Sequence, residues 1–221
     1  MGARRSLPIL AAVGAVGIIM GALYQTGLGV KFASLVTQYS FGNLFLGICL
    51  VGLASFVLGM GLPTSASYIV LSVMAVPALL ELRQGHEIAI TILSAHLIVF
   101  WFSLDSSFTP PVCVPAYTAA GIADAKPNKG AWAAFRTAKG MYVVPMLFAF
   151  SPLLLLDQPL AVAEVLFFGL IGFMGLAGVM VGFLYVKIGV TERILLAAVT
   201  LCLFWPDWYT HVIGLALFSI F

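Results

Sequence analysis

Two proline-bearing breaks interrupt otherwise apolar runs. They are Gly59-Met60-Gly61-Leu62-Pro63-Thr64-Ser65 and Asp105-Ser106-Ser107-Phe108-Thr109-Pro110-Pro111. At the first, Gly59 and Gly61 reach backbone angles closed to other residues, and Pro63 removes a donor. Thr64, Ser65 and Ser67 add hydroxyls where a helix restarts. Free N–H groups at such a restart suit an anion, and carbonyls freed at the preceding turn suit a cation. At the second, Pro110 and Pro111 remove two successive donors and free carbonyls near residues 106 and 107. With Ser106, Ser107 and Thr109 alongside, those oxygens make a shell for a hard cation, with sodium the natural candidate. An ordinary turn between spans would also use Gly and Pro, and one proline alone would read as a kink. Two prolines beside three hydroxyls and a carboxylate favour a site. Asp105 can ligate a cation, relay a proton, pair with a distant arginine or face an aqueous cavity. An ionisable group inside a membrane crossing is by default a functional candidate.

These residues must be positioned by membrane helices. The chain has 221 residues, of which 62% are hydrophobic and 8% charged, and its mean hydropathy is +1.14. Soluble domains carry about 25% charged residues. Non-helical backbone survives in a bilayer only where protein buries it or a cavity lies beside it, so two breaks point to a solute or ion site near the midplane. The predicted fold class is an all-α integral membrane bundle, polytopic, with a re-entrant helical hairpin and a discontinuous helix. The net charge of +2 gives no basis for nucleic-acid binding. Cys49, Cys113 and Cys202 sit in apolar stretches and read as small core hydrophobes. No HExxH, GxSxG or Cys/His metal spacing occurs. Gly-Met-Gly-Leu-Pro lacks the lysine of a phosphate loop. An intramembrane hydrolase would need a second catalytic group at the depth of Asp105, and none is evident. The chain reads as a non-enzyme without cofactor.

Four regions are expected. Residues 1–40 hold a transmembrane helix (Leu7–Leu28) and an outer loop. The Leu7–Leu28 run is longer than a signal-peptide core, and Gly2 with Ser6 fits only the loose myristoylation pattern. Residues 41–123 hold a hairpin (41–82) and a broken helix (87–122). Residues 124–140 form an amphipathic connector at the cytoplasmic interface, with a solvated loop as the alternative. Residues 141–221 hold the spans Met141–Leu156 and Leu160–Val186, then a short hairpin split at Trp205-Pro206-Asp207. Glycines 169, 172, 175, 178 and 182 would let helices approach closely. With Arg4 and Arg5 inside, Lys126, Lys129, Arg136, Lys139, Lys187 and Arg193 also fall inside. That is eight of the ten basic residues, satisfying the positive-inside rule. His96 is expected to pack between helices, and His211 and Glu164 read as peripheral.

Several motifs occur in order: Gly59-Met60-Gly61-Leu62-Pro63-Thr64-Ser65-Ala66-Ser67, Ala95-His96-Leu97-Ile98, Thr109-Pro110-Pro111-Val112, Ala119-Ala120-Gly121-Ile122-Ala123, Trp132-Ala133-Ala134-Phe135-Arg136 and Ser151-Pro152-Leu153-Leu154. In these the chain resembles the C-terminal part of a TRAP transporter large permease subunit of the TAXI-type fused kind. The resemblance implies a sodium-coupled importer with an elevator movement in a bacterial inner membrane. A periplasmic solute-binding protein would deliver an organic acid or similar small solute. It places the cation site on Gly59, Gly61, Thr64, Ser106, Ser107, Thr109 and Pro110. One substrate wall would comprise Ser65, Ser67, Asp105 and Pro111. The family builds its site from two inverted repeats, and this chain carries one copy of each break. The implied partners are an upstream permease half and a small membrane subunit, and the chain alone is expected not to transport. The other expectation is a non-transporting interaction subunit or truncated remnant.

Overall fold

The computed structural model describes residues 14–15, 17–19, 21–23, 25–59, 62–82, 90–110, 113–154, 158–184, 186–205 and 207–219, without the side chains of Val114 and Lys139. The described residues are almost entirely helical, with one isolated bridge between Phe183 and Lys187 and no longer strand among them. Two compact units divide the chain at residues 145 and 146.

In the first unit the described residues from 14 to 26 are helical. Four longer helices follow: α1 (Leu28–Tyr39), α2 (Leu44–Gly59), α3 (Thr64–Leu82) and α4 (Ile92–Phe108). Their shared core contains Ile48, Val51, Leu71, Ala75, Leu79, Ile98 and Val99, all essentially inaccessible. Gly52 brings α2 close to α4, since a Cβ there would stand 2.9 Å from the Phe102 ring. Gly29 does the same for α1 and α3. A Cβ at that position would lie 3.0 Å from the Val73 carbonyl oxygen, which Pro77 deprives of its helical N–H. His96 lies between helices, its Nδ1 3.0 Å from Tyr68 Oη. Helix α4 begins at a proper cap, with Thr91 Oγ1 accepting from the Ser94 N–H at 3.0 Å.

Beyond the second break come α5 (Val114–Ile122) and the amphipathic α6 (Pro127–Ala138), then a 3-10 stretch (Lys139–Val143). The described part of the expected span Met141–Leu156 is not one continuous α-helix. There the chain is the 3-10 stretch, α7 (Val144–Phe150) and a further 3-10 turn (Pro152–Leu154). Pro145 and Pro152 explain this, since a proline is tolerated in a first helical turn and disrupts an interior. Leu155 and Leu156 lie outside the described residues, as do Leu7–Leu10, Arg83 and Glu87.

The second unit holds α8 (Pro159–Val181), α9 (Val190–Phe204) and α10 (Trp208–Phe218). Helix α8 opens on Pro159 and closes at Gly182, whose φ of 77° suits glycine. Gly172, Gly175 and Gly178 meet Phe204, Thr200 and Leu196 of α9, where a Cβ would stand 2.6–3.1 Å from those side chains. Among the described residues, α3 and α8 are long and apolar enough to cross a membrane, and α2, α4 and α10 are shorter apolar helices.

The cysteine expectation needs one correction. Cys113 is buried, Cys202 is intermediate and Cys49 is exposed on apolar α2, which carries other exposed apolar side chains.

Candidate functional site

Helix α2 ends at buried Gly59, and the Leu62 N–H donates to the Gly59 carbonyl at 3.3 Å to close the turn. Helix α3 restarts at Thr64, with the Ser67 N–H bonded to the Pro63 carbonyl at 2.9 Å. Met60 and Gly61 lie outside the described residues. At the second break the helix runs further than the motif suggests. Asp105, Ser106, Ser107 and Phe108 are all helical, and the backbone turns extended only at Thr109 (φ −93°, ψ 125°). Proline restricts the residue immediately before it, so Pro110 ends α4 at Thr109 and no earlier. The carbonyls of Ser106 and Ser107 lose their helical donors nonetheless, because positions 110 and 111 are proline. Pro110 sits in the turn and Pro111 lies outside the described residues.

The two breaks meet. Thr64 Oγ1 is 3.3 Å from Ser107 Oγ. Gly59 lies so close to α4 that a Cβ would collide with Ser106 Oγ and stand 2.8 Å from Ser67 Oγ. No other residue type gives the two backbones this approach. Ser67 is fully buried, and its hydroxyl has no partner among the described residues. Asp105 is 1% exposed, and both its carboxylate oxygens also lack partners among the described residues. Ser65 is exposed and is not brought into this cluster by any contact shown.

Thr109 is held from two sides. Its hydroxyl donates to the Asp105 carbonyl at 2.8 Å, so it accepts from Tyr142 Oη at 2.9 Å. The Tyr142 ring stands edge-on to Phe56 of α2 at 5.4 Å, and Phe56 stands edge-on to Phe102 of α4 at 6.2 Å. Tyr142 therefore ties the turn after α4 to the 3-10 stretch. Sequence reading missed this residue, since 33 positions separate it from Thr109. It also missed buried Ser103, whose hydroxyl is spent on the Val99 carbonyl at 2.8 Å. Ser103 was findable, because it precedes Ser106 and Ser107 by one helical turn.

The groups that meet are oxygen-only: the hydroxyls of Thr64, Ser67, Ser106 and Ser107, with the two carbonyls of α4 that lack helical donors; the buried Asp105 carboxylate lies on the same helix. Such donors fit a hard cation. No group of three His, Cys, Asp or Glu residues gathers among the described residues to hold a transition metal.

Apolar helices whose two proline-bearing breaks meet over buried oxygens suit a membrane solute carrier. Residues 1–160 match the protein family described as Tripartite ATP-independent periplasmic transporter, DctM component. The chain belongs to that family, the membrane-embedded large component of a TRAP transporter, which works with a periplasmic binding protein and further membrane subunits. The match covers the first unit and both breaks. No curated protein and no solved structure matches the chain.

Proposed function

We propose that this chain supplies one repeat of a sodium-coupled TRAP permease of the TAXI type. It would import organic acids or similar small solutes across a bacterial inner membrane. The observation that carries the proposal is the meeting of Gly59 and Thr64 with Ser106 and Ser107, on the same helix that buries the unpartnered carboxylate of Asp105. Sodium sits among the Asp105 carboxylate, the adjacent hydroxyls and the free carbonyls of Ser106 and Ser107. The negative ends of the α2 and α4 dipoles favour it there. The N-terminus of α3, with Ser65 and Ser67, faces the substrate's anionic group with free N–H donors. Coupling follows because the cation neutralises Asp105 and makes an adjacent organic anion tolerable.

The other wall of the site comes from a second, inverted repeat on another polypeptide segment, since a single copy of each break builds one wall. Movement is of the elevator kind, with the hairpin and broken helix travelling as one block. The positive-inside count, with eight of ten basic residues inside, gives the orientation in the membrane, and the sodium gradient drives import.

The test is solute uptake in proteoliposomes. The chain is reconstituted alone, and then with the complementary permease half, the small subunit and the binding protein. Uptake that needs the full set and a sodium gradient supports the proposal. Uptake of equal rate in potassium or choline sinks sodium coupling. Uptake by this chain alone sinks the divided site.

A further inference from the structure

Helix α6 carries a surface that the transport site does not use. Its inner face is tightly engaged with α5. A Cβ at Gly130 would stand 2.7 Å from the Ala120 Cβ, and Ala131 is buried with Cys113 and Ala116. Its outer face is open and shallow. Asn128, Lys129, Trp132, Ala133 and Arg136 line an open cavity of about 410 Å³. Positions 129, 132, 133 and 136 fall on one stripe of a helix by their three- and four-residue spacing. Lys129 and Arg136 are exposed, and neither has an ion-pair partner among the described residues. Trp132 is 54% exposed, and its ring stands edge-on to Phe135 at 5.6 Å.

The combination is specific in its chemistry. Two cations and no carboxylate line the cavity, so its complement is an anion. The guanidinium of Arg136 matches a phosphate in two-point fashion, the Lys129 ammonium adds a point charge, and the Asn128 amide adds a donor. An exposed indole between the cations belongs where water meets hydrocarbon, because its ring is apolar and its N–H is polar. A free phosphate would leave the indole and Ala133 unused. A phospholipid uses all five residues, with its phosphate between the cations and its glycerol and upper acyl chain on Trp132 and Ala133.

We infer that the outer face of α6 is a binding site for an anionic phospholipid of the surrounding bilayer. The cytoplasmic leaflet is the expected source, because the basic connector falls on that side and anionic lipids attract juxtamembrane lysine and arginine. Binding there would hold α6 at the interface and fix the level of the second break, which α5 joins to it. The inference goes beyond the transport proposal and does not depend on sodium coupling.

The test uses the full chain in phosphatidylcholine vesicles containing phosphatidylglycerol, with bromine on the acyl chains of one lipid at a time. Trp132 emission is taken as the difference between the wild-type chain and Trp132→Phe. Brominated phosphatidylglycerol should quench Trp132 at a several-fold lower mole fraction than brominated phosphatidylcholine. Lys129→Gln and Arg136→Gln should each raise the half-quenching fraction by about fivefold, and the double variant should lose the preference. Lys31→Gln should keep it. Equal quenching by the two lipids in the wild-type chain overturns the inference without any variant. Retention of the preference in the double variant also overturns it. Relief of quenching by inorganic phosphate would make this a free-phosphate site instead. Protection of Trp132 only when the other transporter subunits are present would make it a subunit interface.

Discussion

Two carboxylates on apolar helices of this chain are treated in opposite ways. Glu164 of α8 bonds His211 of α10 at 2.8 Å, and Phe168 stacks on that imidazole at 4.3 Å. His211 is buried, while the Glu164 side chain is 41% exposed. Asp105 of α4 is 1% exposed and has no partner among the described residues. A paired polar group can serve packing alone. An unpaired buried carboxylate costs stability and serves packing badly. The second unit gives its buried imidazole a partner, a carboxylate that stays partly exposed. On the proposed reading, the first unit leaves its polarity available to an incoming ion.

That contrast can be broken most sharply at Asp105 itself. Losing one partner of a buried charge pair costs about 3–5 kcal/mol, which is at least about a hundredfold in affinity. Asp105→Asn in the assembled transporter should therefore abolish sodium-driven uptake at ordinary sodium concentrations. Its thermal unfolding in sodium-free buffer should be unchanged or raised, because a desolvated charge is gone. Uptake within threefold of wild type would make Asp105 a packing residue.

Pro110→Ala restores an N–H donor to the Ser106 carbonyl and takes that oxygen from the cation. One such bond is worth about 1.5 kcal/mol, or roughly tenfold in the sodium concentration for half-maximal uptake. An unchanged sodium dependence would remove that carbonyl from the site.

Gly59→Ala drives a methyl into Ser106 and Ser67. Overpacking of this kind costs about 1–3 kcal/mol, and uptake should fall with it as the breaks are forced apart. Wild-type stability and uptake together would show that the close approach is dispensable.

The smallest effect on uptake is expected at the Glu164–His211 pair. His211→Ala removes a hydrogen bond to a carboxylate and the stack on Phe168 and leaves a cavity, together about 2–4 kcal/mol of stability, and leaves uptake within about twofold of wild type. A large transport defect with an intact fold would show that the second unit's polarity is also functional, and the contrast would fail.

Much of the site's local part was legible in the sequence. Glycine and proline punctuate sharply, and the breaks at Gly59–Pro63 and Thr109–Pro110 follow from one missing donor or one missing Cβ at a time. His96 was placed between helices on polarity alone, and it does bond Tyr68 there. Two kinds of information were not legible. One is how far a proline reaches back along its helix: α4 holds its form through Phe108, so Asp105 points from regular helix and not from an unwound turn. The other is long-range pairing. Tyr142 with Thr109 and His211 with Glu164 are 33 and 47 residues apart, and no periodicity links them. His211 and Glu164, read as peripheral in sequence, are hydrogen-bonded to each other at 2.8 Å.

The most direct test of the central claim is sodium binding by the assembled transporter, measured with radioactive sodium in the absence of substrate. The two breaks with Asp105 should give saturable binding that choline does not displace. Asp105→Asn and the pair Thr64→Val with Ser107→Ala should each lose it, and His211→Ala should keep it. Saturable sodium binding that survives in both of the first two variants would contradict the account.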